Sequence, residues 1–465
     1  MIACSPEPAS FRDPSGQVFI RGERVFRTVM PGAAADYEFV RDQRLIARLV
    51  EEGRLVASAE VAPDLLGPAQ DARYLLEHAR IGYVSFPYEW SFPALKAAAL
   101  LHLELHLELL EHDVTLSDAS AYNVQFQGVR PIFIDVLSLR RYREGEYWLG
   151  HRQFCEQFLN PLLLRALAGV PHNAWYRGSL EGIGVLEIDR VLPLRRKLSW
   201  NVISHVVLQA KLHRAAIRKP QANLEKARAR QLSKSALRGL LAQLSRWIAR
   251  LEPADTGPTV WGSYADTHSY RSEEEQAKRR FVAEFVERTR PRLLFDLGCN
   301  TGDYAALALA AGTGSVIGFD ADQRALETAF ARAAAADLPF LPLYLDAANP
   351  SPDQGWQQAE RAGFGRRAQA DAVLALAFEH HLAIGRNVPL EQLLAWLTGL
   401  APRGVIEFVP KEDPTVGRML ALREDIFTDY DEAAFTRCLG DAARIVRSEI
   451  VSAHGRRLFW YDRSH

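Results

Sequence analysis

The chain has 465 residues, 48% of them hydrophobic and 24% charged, with a formal net charge of −1. This ordinary globular composition excludes collagen, coiled coil and overall disorder, and the length suggests two or three domains. The four cysteines are far apart, so a disulfide framework, a four-thiolate zinc site or an iron–sulfur centre is not expected. The first residues lack a signal-peptide core, and no uncharged run reaches the ~18 apolar residues of a membrane span. We therefore expect a soluble protein in a reducing, cytoplasmic setting.

The N-terminal half shows a mixture of strand and helix patterns. Alternating residues predict a β-hairpin over 17–29, and apolar spacings of three and four predict helices over 36–53 and 93–112. Residues 122–137 alternate like two strands around a turn, and residues 150–250 are mostly helical in pattern. These patterns indicate an α+β domain followed by a helical region.

The near-neutral net charge hides a strong asymmetry along the chain. Residues 190–250 contain 15 Lys or Arg and one acid, Glu225, so they carry +14 and the remainder carries −15. After a Pro/Gly-containing linker at 252–258, strands and helices alternate as in a parallel doubly wound sheet. We therefore predict an α/β protein in three parts: an α+β domain at 1–187, a basic helical connector at 188–257 and an α/β domain at 258–465.

One helix in the basic stretch is amphipathic. Leu237, Leu241, Leu244 and Ile248 recur at helical spacing and share one face, with lysines and arginines around them. Such a helix suits an anionic membrane, a nucleic acid or a phosphorylated glycan. The alternative is an intramolecular partner for the acidic remainder. Since no RNA-binding module is recognisable, we do not expect nucleic acid as a partner, whereas peripheral contact with an anionic membrane stays open.

A glycine loop follows the strand predicted at 293–295. Asp296 precedes Gly298 by two residues, Gly302 follows four residues later, and a helix begins near Asp303. Glycines let the backbone approach a ligand without a Cβ clash, and this spacing differs from the dinucleotide fingerprint GxGxxG. The D-x-G-x-x-x-G pattern resembles the nucleoside-binding loop of class I S-adenosylmethionine (SAM)-dependent methyltransferases. The resemblance implies a Rossmann-like sheet closed by an antiparallel pair, here at 446–451 and 457–461.

Later strand ends agree with this resemblance. Strands predicted at 315–319 and 342–345 lead into Asp320 and Asp346, which suit the ribose hydroxyls and the adenine. Two more strands are predicted at 372–377 and 405–408. The alternative is a Rossmann-like fold that binds another nucleotide or none. The SAM-binding residues that the resemblance implies are Asp296, Gly298, Asn300, Gly302, Asp320, Ala321, Asp346, Ala347, Ala375 and, from a lead-in segment that could equally be an aromatic hinge, Tyr264 and Lys278.

The methyl acceptor is expected beyond the carboxyl ends of the strands. His380 and His381 follow the fourth strand and Glu407 lies in the fifth, where each is a candidate catalytic base for an O- or N-nucleophile. The alternatives are packing or capping by the histidines and a local ion pair between Glu407 and Lys411. No Asn-Pro-Pro-Tyr-type motif follows the fourth strand, which disfavours N-methylation of adenine or glutamine.

A second signature lies in the N-terminal half. Asp118 and Asn123 are five residues apart, and Asp135 ends a strand 12 residues further on. This spacing resembles the catalytic and metal loops of protein-kinase-like phosphotransferases, in which the Asn and the second Asp bind Mg²⁺. The chain departs from that family in having no phosphate-covering glycine loop and no clear lysine, Arg27 being the nearest cation. An active domain would use ATP, with Mg²⁺ on Asn123 and Asp135; otherwise these side chains cap turns.

Nearly the whole chain resembles a group of large bacterial SAM-dependent methyltransferases. Tyr-Glu-Trp-Ser at 88–91 and Asp-Ala-Ser-x-Tyr-Asn at 118–123 carry this resemblance. It implies methyl transfer but does not supply the acceptor, which we expect to be a small molecule, saccharide or peptide that the kinase-like domain at 1–187 selects. The alternatives are a bifunctional kinase–methyltransferase acting on a glycan or lipid-linked saccharide, and a non-catalytic SAM-binding scaffold.

Overall fold

The structure is a computed structural model that describes residues 6–66, 71–218, 231–255, 272–421 and 424–463. The chain divides into two compact units, and each is built from more than one stretch of sequence. The first unit comprises Met1–Phe126, Arg130–Gly257 and Asp353–Ala362, and the second comprises Gln127–Val129, Pro258–Pro352 and Gly363–His465.

The first unit begins with a four-stranded antiparallel sheet. Its strands, in the spatial order β1-β2-β4-β3, are β1 (Val18–Arg21), β2 (Arg24–Val29), β3 (Ser58–Val61) and β4 (Tyr74–His78). The predicted hairpin is therefore confirmed, and Phe19, Phe26 and Leu75 form its core. The helix predicted over 36–53 is instead two helices, Pro31–Asp42 and Leu45–Glu51, because Arg44 has a left-handed φ of 58°.

A buried helix, Phe92–Glu111, follows the sheet and confirms the apolar pattern at 93–112. It begins with Pro93 in its first turn, where the missing N–H costs nothing. Four short strands come next. They are β5 (Val114–Leu116), which pairs with β8 (Leu139–Arg141), and β6 (Val124–Gln127), which forms a hairpin with β7 (Arg130–Phe133).

The rest of the first unit is helical, as predicted. Its α-helices are Gly150–Phe154, Asn160–Ala168, Asn173–Arg177, Val185–Val191, Trp200–Val202, Leu208–Arg218 and Lys234–Ala249, with π-helical segments at Cys155–Leu159 and Ile203–Val207. Short 3₁₀ turns occur at Pro8–Ser10, Pro63–Leu66, Pro87–Glu89, Ala121–Asn123, Val136–Ser138, Arg196–Leu198 and Trp356–Gln358.

The amphipathic helix Lys234–Ala249 packs against the buried helix Phe92–Glu111. Its predicted apolar face is fully buried there. Two of its basic residues pair with acids at the end of the buried helix, Lys234 with Asp113 at 2.7 Å and Arg238 with Glu111 at 2.9 Å. This face is therefore used inside the first unit, which is the intramolecular alternative, and it is not free for a membrane.

The second unit is built on one seven-stranded sheet with the order β11-β10-β9-β12-β13-β15-β14. The strands are β9 (Leu293–Leu297), β10 (Ser315–Asp320), β11 (Phe340–Tyr344), β12 (Ala372–Ala375), β13 (Arg403–Phe408), β14 (Arg444–Ile450) and β15 (Arg457–Asp462). The first five run parallel, and β15 runs antiparallel to both of its neighbours. The predicted mixed sheet closed by an antiparallel pair is confirmed, with one correction: the strand predicted at 293–295 continues to Leu297 and includes Asp296.

Helices of the second unit alternate with these strands. They are Ser272–Thr289, Asp303–Ala310, Gln323–Ala335, Phe364–Arg367, Glu379–Ala383, Leu390–Leu400, Pro414–Leu420 and Glu432–Ala442. The central strands are buried along nearly their whole length, as expected for a parallel sheet covered on both faces. Among the helices that the structure describes, none is long and apolar enough to cross a membrane.

Candidate functional site

The loop after β9 is shaped by left-handed backbone at three residues. The φ angles are 72° at Gly298, 47° at Asn300 and 80° at Gly302. A Cβ at Gly302 would also lie 2.5 Å from the ring of Phe340, so both conformation and space require glycine there. The helix Asp303–Ala310 begins directly after Gly302. Its first backbone N–H groups have no helical partner and suit an anionic group such as a carboxylate.

Asp296 is a buried carboxyl with an unfilled hydrogen-bonding position. Asp296 lies within β9 and its side chain is buried. Its Oδ2 atom has no hydrogen-bond partner among the described residues. Burial, reinforced by the nearby Asp320, raises the pKa of Asp296 to about 7, while Lys278 opposes the shift. A buried carboxyl without a full set of partners is unfavourable unless a donor or a cation completes it. The position therefore fits a cationic ligand group.

Asp320 connects the end of β10 to the glycine loop. Its Oδ2 accepts a hydrogen bond from the backbone N–H of Asn300 at 2.9 Å, and its Oδ1 accepts one from Asp322 at 2.8 Å. Burial raises the pKa of Asp320 to about 6, although these backbone N–H groups favour the charged form. A carboxylate has about four lone-pair positions, so Asp320 retains room for hydroxyl donors such as those of a ribose.

The structure brings the other predicted contacts to the same edge, because β9, β10 and β11 are parallel neighbours. Asp346 is half-buried two residues beyond β11, and its Oδ1 accepts from the backbone N–H of Ala348 at 3.1 Å. Ala321 is exposed and Ala347 half-buried. Ala375 is fully buried within β12. Tyr264 lies outside the described residues.

Lys278 and Glu407 form a buried ion pair at 2.6 Å. The same Glu407 oxygen, Oε2, accepts from the backbone N–H of Ala377, just beyond β12, at 2.7 Å. The alternative pairing of Glu407 with Lys411 is not observed, since Lys411 pairs with Asp425 at 2.8 Å. Glu407 therefore ties the helix Ser272–Thr289 to the carboxyl ends of two central strands.

Arg456, a residue that the sequence motifs did not indicate, extends this charged network through Asp413. Arg456 donates to Asp413 from Nε at 2.6 Å and from Nη2 at 2.9 Å, and its Nη1 lies 3.8 Å from Glu407. Both side chains are buried. Asp413 also caps the N-terminus of the helix Pro414–Leu420, as expected for an aspartate directly before a proline.

The two candidate histidines differ in exposure. His380 is fully buried, and neither of its ring nitrogens has a partner in the described part of the chain. His381 is half-buried, with its ring centre 4.0 Å from that of His380. Burial lowers the pKa of both, that of His381 to about 4. Both rings are therefore neutral near pH 7, and His381 is the one with surface to offer an acceptor.

Glu379 lies directly before the two histidines. It is fully buried, and its Oε1 accepts from the hydroxyl of Tyr430 at 2.6 Å and from the backbone N–H of Val409 at 3.1 Å. Burial raises the pKa of Glu379 to about 8. Tyr430 also lines a cleft of about 630 Å³ with Phe408, Lys411 and other residues beyond β13. Its volume is in the range of small-molecule sites.

In the first unit the structure brings Asp118, Asn123 and Asp135 together. Asn123 donates from Nδ2 to Asp118 at 3.0 Å and to Asp135 at 3.4 Å. The Nη1 atom of Arg27 lies 2.8 Å from Asp135, and Arg27 also pairs with Asp13. Burial and the charge of Asp135 raise the pKa of Asp118.

This arrangement does not fit a magnesium site on Asn123 and Asp135. The Asn123 amide turns its NH₂ group toward both carboxylates, and the Arg27 guanidinium takes the position of a cation. Both acids also cap turns, Asp118 at Ser120 and Asp135 at Leu137. Within the described residues no cluster of three or more His, Cys, Asp or Glu that could hold a metal is found.

Comparison with known proteins gives one full-length relative. Nodulation protein NoeA of Rhizobium meliloti (strain 1021) is 49% identical over 470 residues, which cover 100% of this chain and 98% of that protein. No family model matches. Among solved structures, WbdD is 16% identical over 45% of each chain with a TM-score of 0.31. Magnesium protoporphyrin IX methyltransferase (ChlM) from Synechocystis PCC 6803 is 18% identical over 45% of this chain and 86% of that one, with a TM-score of 0.29.

Proposed function

This chain belongs to the family of nodulation protein NoeA, and we propose that it is a SAM-dependent methyltransferase that acts in nodulation. The observation that carries the proposal is the convergence of Asp296, the glycine loop and Asp320 at the carboxyl edge of β9 and β10. The reaction transfers a methyl group to an O- or N-nucleophile of a small molecule, saccharide or peptide.

The chain's own residues divide the work of binding. SAM supplies an electrophilic methyl group on a sulfonium. Asp320 suits the ribose hydroxyls, and Asp296 suits the cationic end because one of its oxygens lacks a partner. The first N–H groups of the helix Asp303–Ala310 suit the carboxylate. Asp346 and its neighbours Ala321 and Ala347 suit the adenine edge.

Of the residues on the acceptor side, His381 is the proposed base and Glu407 is a positioning residue. His381 is half-buried, so its ring can reach an O–H or N–H acceptor and take its proton, and its lowered pKa makes it a weak base in the free protein. Glu407 is already bound to Lys278 and to Ala377, and it orients these two in place of acting as a base. Methyl transfer otherwise requires alignment of nucleophile, methyl and sulfur.

Calorimetry with SAM and with its demethylated product tests the cofactor. We expect Asp320→Ala to weaken SAM binding by at least about tenfold, since a hydrogen bond to a charged group contributes ~1.5–3 kcal/mol. The exposed Asp441→Asn should leave SAM binding unchanged. Wild-type protein that binds neither compound would refute the proposal. Binding without methyl transfer to any acceptor in cell extract would instead favour the SAM-binding scaffold.

For the N-terminal domain at 1–187 we propose acceptor selection by a kinase-like fold without phosphotransfer. The arrangement of Asp118, Asn123 and Asp135 supports the ancestry, and Arg27 on Asp135 argues against activity. A thermal shift with ATP and Mg²⁺ tests this. We expect no shift in the wild type. A shift that Asp135→Ala abolishes would favour the bifunctional enzyme.

A further inference from the structure

We propose that the first unit binds the surface of an anionic phospholipid membrane through an exposed apolar patch ringed by basic residues. The side chains of this interfacial patch are Val191, Leu194, Leu198, Trp200, Leu208 and Leu212. Three of them are strongly exposed, Leu194 at 81%, Leu198 at 80% and Trp200 at 73%. An isolated exposed leucine is ordinary, but a group of large apolar side chains in one region marks an interaction surface.

The patch arises because one helical run is apolar on two faces. Val202, Val206 and Ala210 recur every four residues and are buried in the unit. Trp200, Leu208 and Leu212 lie on the same run and stay exposed. The inward face already supplies the packing that holds the helix. The apolar side chains on the outward face therefore do not contribute to the packing of the first unit, and their exposure needs another explanation.

A buried acid holds the parts of the patch together. Asp189, in the helix Val185–Val191, pairs with Lys197 at 3.3 Å and with Arg214 at 2.7 Å. These contacts join the helix that carries Val191, the turn that carries Leu194 and Leu198, and the helix Leu208–Arg218. The elements that carry the apolar side chains are therefore neighbours in the first unit.

The segment that carries the patch side chains has charges of a single sign. Residues 190–218 contain seven Lys or Arg and no Asp or Glu. Arg190, Arg195, Arg196 and Lys211 are exposed, and none of them forms an ion pair with another residue that the structure describes. Leucines and a tryptophan among basic side chains suit the boundary between anionic headgroups and acyl chains.

Two other occupants fit less well. A second copy of the chain would place the same basic ring against itself in a two-fold interface, where like charges repel. A nucleic acid would neutralise the arginines, but interfaces with nucleic acid are polar and would leave the leucines and the tryptophan without apolar partners. An anionic bilayer satisfies both the charge and the apolar side chains.

Vesicle co-sedimentation of the full chain tests the proposal. The probes are vesicles of phosphatidylcholine with about 30 mol% phosphatidylglycerol, and vesicles of phosphatidylcholine alone. We expect binding to the first that weakens with salt, and binding at least about tenfold weaker to the second. Leu194→Ser/Trp200→Ala and Arg195→Glu/Arg196→Glu should each reduce binding to the anionic vesicles by at least about tenfold.

Matched variants separate this surface from general effects. Trp356→Ala removes another exposed tryptophan, and Arg437→Glu/Arg444→Glu changes the net charge by the same amount at exposed positions elsewhere. Both controls should bind as the wild type does. Failure of the wild type to bind anionic vesicles would overturn the proposal. Two other results would also overturn the proposal. One is dimerisation that depends on protein concentration and that the patch variants abolish. The other is DNA binding that the patch variants abolish, in a protein that does not bind vesicles. Methyl transfer to soluble acceptors does not require vesicles, so measuring it distinguishes failure of the membrane proposal from failure of the proposed methyltransferase function.

Discussion

Lys278 and Glu407 are 129 residues apart in sequence and meet at 2.6 Å, with side chains that are at most 5% exposed. The pair joins the helix before the glycine loop to the ends of β12 and β13, the strands that lead to the proposed acceptor side of the site. The positions of the residues around the sheet edge therefore depend on a contact that no local sequence pattern encodes.

Removing one partner of the Lys278–Glu407 pair should lower the free energy of unfolding more than removing both partners. Lys278→Met leaves Glu407 charged and buried, and we expect it to destabilise the second unit by about 3–5 kcal/mol in urea unfolding. Lys278→Met/Glu407→Gln should recover part of that loss. Asp425→Asn breaks the exposed pair with Lys411 and should cost under about 1 kcal/mol. A double variant less stable than the single one would contradict the account.

Gly302 should not tolerate a side chain. Gly302→Ala forces a left-handed φ of 80° and a contact with Phe340, so we expect a loss of about 1–3 kcal/mol in stability and weaker SAM binding. Gly399→Ala is the control, since a Cβ there meets no neighbour and lies in the helix Leu390–Leu400. It should stabilise by about 0.5–1 kcal/mol. Equal effects at the two glycines would argue against a strained ligand loop.

Binding of SAM should release protons in mildly acidic solution. Burial raises the pKa of Asp296 to about 7 and that of Asp320 to about 6. A cation near Asp296 and hydroxyl donors to Asp320 favour the ionised carboxylates. Affinity should therefore fall as the pH drops below about 7, because protons must leave on binding.

Calorimetry in two buffers with different ionisation enthalpies measures this release. We expect proton release at about pH 6 and little at about pH 8. Asp296→Asn should reduce the release, and the exposed Asp441→Asn should not. Proton uptake at about pH 6 would show that these carboxyls do not contact the cofactor.

Buried histidines should make the first unit sensitive to acid. Burial lowers the pKa of His102 to about 3 and those of His151 and His205 to about 4. A histidine of ordinary pKa gains its proton near pH 6.5 in the unfolded chain, so the unfolded state binds more protons below that pH. Stability is therefore retained above about pH 6.5 and lost as the pH falls toward 4.

His205→Phe isolates one of these contributions. The ring of His205 stacks on Trp247 at 5.7 Å, and neither of its nitrogens has a hydrogen-bond partner in the described chain. At about pH 7.5 the variant should unfold at a similar temperature to the wild type. At about pH 4.5 it should unfold at a higher temperature, because its free energy of unfolding should be larger by roughly 3 kcal/mol. Identical acid profiles for His205→Phe and wild type would contradict the assignment.

Local pattern was sufficient for most elements and for the loop. The hairpin, the buried helix Phe92–Glu111 and the five parallel strands were predictable because their side-chain period or apolar run is set within a few residues. The helix predicted over 36–53 was wrong in its continuity, because the left-handed turn at Arg44 has no glycine or proline to signal it.

The sequence by itself determined the elements, the charge asymmetry and the need for glycine beside Asp296, since these follow from periodicity, composition and backbone conformation. Only the tertiary structure decided which charges meet and which apolar faces are covered. The face containing Leu237 and Leu241 looked suited to a membrane and is buried, whereas the side chains around Leu194 and Trp200 are exposed. Spacing shows that a face is apolar, but burial depends on what long-range packing places against it.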